Sequence, residues 1–180
     1  MDLYAYVRPV DDNNHAPHVS RGLLSLANCV WMVRERAREG DWLVGLTSVK
    51  ANPDRKRRIS YIARVDEKVT RQEYWKRFSR IAAVDSRSKT ARQDNYYEPR
   101  TCAPFYSQNV NPYHDLDDVW KDLRSQYVLL SRTFRDFGPN TQTRIPVHWA
   151  MIEHSLEPPR QRGYRKFPVR VVHLNTLTLE

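Results

Sequence analysis

No unbroken apolar run in this 180-residue chain exceeds five residues, and the two that reach five are Leu3 to Val7 and Cys29 to Val33. A membrane-crossing helix needs about 20 apolar residues, so no membrane span is expected. Core-forming segments this brief suit short strands with small helices between them. The chain carries 10 Tyr, 5 Trp and 5 Phe, and disordered chains are aromatic-poor, so a packed core is expected. Its length fits one domain better than two. With only 5 Gly, glycine-rich nucleotide cradles are excluded.

Along the chain, Leu3 to Val7 reads as a first strand ending before Pro9, and residues 10–19 as a loop rich in Asp, Asn, His and Pro. Arg21 to Ala27 suits a short buried strand, and Val30 to Arg38 a short helix halted at Gly40. The strand Trp42 to Leu46 follows, then a basic loop from Lys50 to Arg58 and a strand from Ile59 to Val65. Thr70 and Glu73 have capping-box spacing for a helix with Tyr74, Trp75 and Phe78 on its apolar face. Ala83 to Asn111 reads as a long loop, Leu116 to Leu123 as an acidic helix and Tyr127 to Ser131 as a strand. Phe134 to Gly138 reads as a turn, Pro146 to His154 as a helix and Val169 to Leu174 as a closing strand. The pattern predicts an α+β fold, a small mixed β-barrel with inserted short helices.

The formal charge is +9, and 23 of the 30 basic residues are Arg. Arg pairs bidentately with phosphate and stacks on bases, so a polyanionic partner is expected. Two clusters carry the excess: Lys50 with Arg55 to Arg58, and Arg160 to Arg170 interleaved with Tyr164 and Phe167. Candidate phosphate contacts are Arg34, Arg55, Arg57, Arg58, Arg162 and Arg165. Metal chemistry has little basis. His148 and His154 lie six apart, off the spacing that puts two ligands on one helix face, and Cys29 and Cys102 form no zinc pair. No metal, cofactor or catalytic set is therefore assigned. Asp115, Asp117, Asp118 and Asp122 suit a solvated helix start. With no disulfide framework and Asp2 near the start, a cytoplasmic location is expected. The segment Asp94-Asn95-Tyr96-Tyr97 combines a carboxylate, an amide and two phenols. Such groups can line a pocket for a planar base, or form an Asx turn with two docked rings.

The order of these motifs is specific. Ala16-Pro17, Gly22, Leu24-Ser25-Leu26-Ala27, Cys29, Val33-Arg34, Ala37 and Gly40-Asp41-Trp42 resemble the opening of the second nucleotide-modification-associated domain family. Tyr61 to Val65, Glu73-Tyr74-Trp75, Asp94 to Tyr97 and Val128 to Ser131 with Phe134 and Phe137-Gly138 continue the likeness over roughly residues 3–140. The last 40 residues form a basic extension without a matching motif. Gln93 stands where the family has Gly, Ser25 where it has Thr, and Val30-Trp31 where it has Lys-Pro. The resemblance implies work in bacterial or phage systems that install or handle modified DNA bases.

More loosely, the helix, Gly40-Asp41, strand and Thr47-Ser48 resemble PUA-like domains of the EVE and YTH type. That likeness implies a base pocket at a barrel end, with candidates Asn28, Trp42, Ser48, Asp94, Asn95 and Tyr97. Three functions follow: a domain that reads an extruded base in DNA rather than RNA, an enzyme using Asp94 as acid or base, or a protein-interaction module. The oligomeric state is not legible.

Overall fold

The computed structural model describes residues 1–7, 17–49, 54, 57–82, 94–101, 106–108, 116–137 and 164–168. They gather into two compact units that alternate along the chain. The first comprises Met1–Asp12, Ala37–Asp66 and Ser131–Glu180, the second Asn13–Arg36 and Glu67–Leu130.

The first unit is built on a five-stranded sheet of β1 (Asp2–Val7), β4 (Trp42–Leu46), β5 (Ile59–Arg64), β10 (Phe134–Asp136) and β11 (Tyr164–Pro168), ordered β10-β5-β4-β1-β11. β1 lies parallel to β4 and antiparallel to β11, and β5 is antiparallel to both β4 and β10. The apolar runs explain the centre: Leu3 to Tyr6, Trp42 to Leu46 and Ile59 to Ala63 are buried on both faces. Such strands read as continuous hydrophobic segments rather than as an alternation.

Gly45 sits between Tyr6 and Tyr61 in register. Without a side chain at that position the two rings meet edge to face at 6.1 Å, and their hydroxyls hydrogen-bond. The turn before β4 is fastened by Asp41. Its carboxylate accepts the Asp2 amide at 2.7 Å and the Arg38 amide at 2.9 Å, its carbonyl accepts the Val65 amide at 2.7 Å, and the Val65 carbonyl accepts the Gly40 amide at 2.8 Å. Gly40 supplies the positive φ of 87° that this turn requires.

The second unit contains β2 (His18–Ser20), β3 (Leu23–Leu26), β6 (Glu67–Thr70) and β9 (Tyr127–Ser131) in the order β2-β3-β9-β6, with a separate pair of β7 (Tyr97–Pro99) and β8 (Tyr106–Gln108). Its helices are α1 (Trp31–Arg36), α2 (Arg71–Ala82) and α3 (Leu116–Asp122). The capping box forms as its spacing requires: the Thr70 amide donates to Glu73 Oε2 at 2.7 Å, and the Glu73 amide returns to Thr70 Oγ1 at 3.2 Å. Ala27, Val69, Tyr74, Val128 and Leu130 form an apolar core with Leu23 and Phe78 against it. Among the described residues, no helix is long and apolar enough to cross a membrane.

The architecture is α+β, mostly sheet with a few short helices, but the closed barrel is not formed. Among the described residues the strands make three sheets of linear order, because β10 and β11 end the large sheet instead of pairing with each other. Phe134 to Asp136 is an edge strand rather than part of a turn, and His18 to Ser20 is a strand rather than loop. At three residues each, such segments take their conformation from the neighbouring strand, which local pattern does not reveal. The expected helix at 146–154 and strand at 169–174 lie outside the described residues, as does most of 83–111.

Gly45→Ala tests the close packing of the large sheet. A Cβ there would strike the Tyr61 ring and crowd Ser60 Oγ. The substitution is expected to lower unfolding free energy by about 1–3 kcal/mol, read as a lower urea midpoint at unchanged slope.

Candidate functional site

The polar interior of the second unit starts at the end of β3. Asn28 is buried, and the next two residues adopt left-handed backbone, Cys29 at φ 55° and Val30 at φ 30°. For a β-branched residue this is a strained conformation, so surrounding contacts must hold it. The Cys29 amide donates to Asp122 Oδ1 at 2.6 Å, and the Cys29 carbonyl accepts from Arg34 Nε at 3.0 Å. The Val30 carbonyl accepts the Val33 amide at 2.8 Å, which begins α1.

Two guanidinium groups are enclosed here. Arg34, on α1, is 0% exposed and donates to the carbonyls of Cys29, Asp122, Ser125 and Tyr127. Arg71 opens α2 and donates to the carbonyls of Ala27 and Asp122 at 2.7 Å and of Ser125 at 3.1 Å. It also lies 5.3 Å from the Tyr97 ring centre. Burial, reinforced by the neighbouring Arg71 charge, pushes the Arg34 guanidinium down to about 9, and burial lowers Arg71 as well. A guanidinium keeps its charge at neutral pH even when enclosed.

Two carboxylates balance them. Asp94 accepts Ser25 Oγ at 2.7 Å on one oxygen and the Tyr74 hydroxyl at 2.8 Å on the other, while its carbonyl accepts Asn28 Nδ2 at 2.5 Å. Asp122 accepts the Cys29 amide and, at 2.8 Å, the Tyr97 hydroxyl. Burial, with the adjacent carboxylate adding to it, raises both phenols: Tyr74 above Asp94 and Tyr97 above Asp122. Each phenol is thus fixed as a proton donor. Next to Asp94, Asn95 is 5% exposed, and its Nδ2 is buried with no hydrogen-bond partner among the described residues.

Of the candidates read from sequence, Asn28 and Asp94 are bonded directly and Tyr97 joins them through Arg71, with Asn95 beside Asp94 in the chain. Trp42 and Ser48 belong to the first unit: Trp42 is buried in β4, and Ser48, just beyond that strand, is half-buried. Arg34 cannot serve as an exposed phosphate contact, because its donors are spent on buried carbonyls. Arg57 and Arg58 are half-buried, and Arg58 pairs with exposed Asp54 at 2.6 Å. Arg165 lies half-buried on β11, while Arg55 and Arg162 lie outside the described residues. Asp122 is buried rather than part of a solvated helix start.

Sequence reasoning missed Ser25, Arg71, Tyr74 and Asp122 as one set. The available signal was that Ser25, Arg34 and Tyr74 each fall within the ordered motifs. Among the described residues, no group of His, Cys, Asp and Glu side chains is arranged to hold a metal ion. The arrangement can present fixed donors and rings to a planar polar group.

The family model for nucleotide modification associated domain 2 matches residues 1–173. It therefore extends beyond residue 140, where the motif resemblance ends. No curated protein and no solved structure matches the chain.

Removing a guanidinium from the buried charge set is expected to be more harmful than removing one hydroxyl donor to it. Arg71→Met should lower unfolding free energy by roughly 3–5 kcal/mol, since Asp94 and Asp122 lose a buried counter-charge. Tyr97→Phe removes one hydroxyl donor and should lower it by about 1–3 kcal/mol. Urea unfolding of both variants checks this order.

Proposed function

The chain belongs to the nucleotide modification associated domain 2 family, and we propose that it binds DNA and holds an extruded, modified base against the Asp94 to Tyr97 segment. The observation that carries this reading is Asn95. A buried amide nitrogen without a partner is uncommon in a folded protein and calls for an acceptor. A base edge offers one, because Asn recognises bases through paired donor and acceptor atoms. Tyr96 and Tyr97 flank it with buried rings that meet edge to face at 6.4 Å. Asn28 and Asp94 hold the segment in place.

Both oxygens of Asp94 are occupied by hydroxyl donors, which favours positioning over proton transfer and a binding role over an enzyme. The order α1, Gly40-Asp41, β4, Thr47-Ser48 supports a PUA-like arrangement for this chemistry, in a bacterial or phage base-modification or defence setting.

Extruding a base costs a few kcal/mol, so phosphate contacts must supply much of the affinity. The +9 charge supports this, with Arg57, Arg58 and Arg165 on the described surface and Arg55 and Arg162 in the same two clusters.

A panel of modified and unmodified DNA oligonucleotides at several salt concentrations tests the reading. With about 4 phosphates engaged, log affinity should fall with log salt at a slope of roughly -3 to -4. Reversing the charge of Arg57 and Arg58 should weaken all sequences alike. Asn95→Ala should erase roughly 5- to 100-fold of base discrimination while leaving the slope intact. A flat salt response, or unchanged discrimination in Asn95→Ala, contradicts the proposal.

A further inference from the structure

We propose that Trp120, with the Trp31–Arg124 pair, forms an external ledge on which a base of single-stranded DNA stacks; the inference rests on the DNA-binding reading above. Trp120 is 76% exposed on α3. Among the described residues it is the second unit's only exposed large apolar side chain, since Met1 and Val49 belong to the first unit. An exposed indole offers a large flat face with a polar handle, which suits a planar partner.

The surroundings indicate which partner suits it. Asp117, Lys121, Arg124 and Gln126 are also exposed, so exposed polar side chains accompany the ring along this stretch of chain. A stable protein interface buries about 800 Å² per partner around such an anchor. A lone ring in a polar setting instead matches the area of one base. Every base offers a π-face, so stacking on it needs no sequence match.

Arg124 extends the ledge. The helical turn continues past α3 through the Leu123 amide bond to the Val119 carbonyl at 2.9 Å, which places Arg124 one turn beyond Trp120. Its guanidinium lies 5.5 Å from the Trp31 ring centre. Arg on an aromatic face is pre-oriented both to stack and to meet phosphate. Asp118 is already paired with Lys121 at 3.0 Å, which limits local repulsion of a polyanion, and Asp117 is the acid a strand would have to pass.

The ledge is also tied to the proposed pocket. Asp122 lies between Trp120 and Arg124 in sequence, and its carboxylate bonds the Cys29 amide and the Tyr97 hydroxyl. One buried group thus anchors α3, the turn leading to Trp31 and the segment that carries Asn95. A strand with one base extruded exposes neighbouring bases, and a fixed platform close by would hold one of them.

The test uses the full chain and a fluorescein-labelled mixed-sequence single strand, followed by anisotropy and tryptophan emission. Wild type should bind with quenched emission. Trp120→Ala should bind about 5- to 100-fold more weakly, lose most of the quenching and keep both the salt slope and the thermal midpoint. Trp120→Phe should recover most of the affinity. Wild-type binding with unchanged affinity and quenching in Trp120→Ala overturns the ledge and leaves the DNA reading standing. Lack of wild-type binding to any strand overturns both. If Trp120→Ala abolishes self-association in sedimentation while DNA affinity is retained, the ring is a protein contact and the ledge is overturned.

Discussion

Two buried guanidinium groups are the constraint around which the second unit is organised. Arg34 and Arg71 lose their hydration, and no single carboxylate takes its place. Backbone carbonyls from residues 27–29 and 122–127 solvate them instead. Those carbonyls belong to segments nearly a hundred residues apart in sequence, so the two cations fasten together the ends of β3 and β9, which are neighbours in the sheet. A buried charge set of this kind is weak as a source of net stability, but it penalises any arrangement that leaves a member unpaired. The strained Cys29–Val30 turn is held on both sides by this set, through Asp122 and Arg34.

The carboxylates follow a complementary rule. Asp41, Asp94 and Asp122 are buried, and each carboxylate accepts from amides or hydroxyls. Fixed neutral dipoles replace water around each anion, as carbonyls do around each cation. Ion pairs between opposite side-chain charges lie at the surface instead: Arg58 with Asp54, Arg77 with Glu67, Lys121 with Asp118, and Lys166 with Asp2. Exposed pairs contribute little. Positioning therefore falls to Asp41 in one unit and to Asp94 and Asp122 in the other.

How much of this the sequence disclosed depended on whether the signal was local. The Trp42 to Leu46 strand, the Tyr127 to Ser131 strand and the Thr70–Glu73 cap were all legible, because composition or spacing within a few residues determines each. The three-residue strands β2 and β10 were not, since their conformation is set by partners. Polar residues presented a harder case. An Arg reads the same whether it faces solvent or carbonyls, so Arg34 was grouped with phosphate contacts although it is enclosed. Asp122 likewise read as one more acid in a solvated run. Asn28 and Asp94 were legible as a polar pair, but Ser25, Tyr74 and Arg71, which give that pair its geometry, carry no local mark of burial.

The loss of Arg34 from the surface does not diminish the electrostatic case for a polyanionic partner. Arg34 and Arg71 are two positive charges, Asp94 and Asp122 two negative ones, so the enclosed set sums to zero. The formal +9 of the chain is thus carried by the other residues, where long-range attraction to phosphate operates. Burial separates two tasks that composition alone merges. A neutral interior fixes where the Asn95 amide and the Tyr97 ring stand, and under the proposed function the excess positive charge supplies the attraction to phosphate. Under the proposed function, changes to the interior should therefore alter selectivity and stability together, whereas changes to exterior Arg should alter affinity alone.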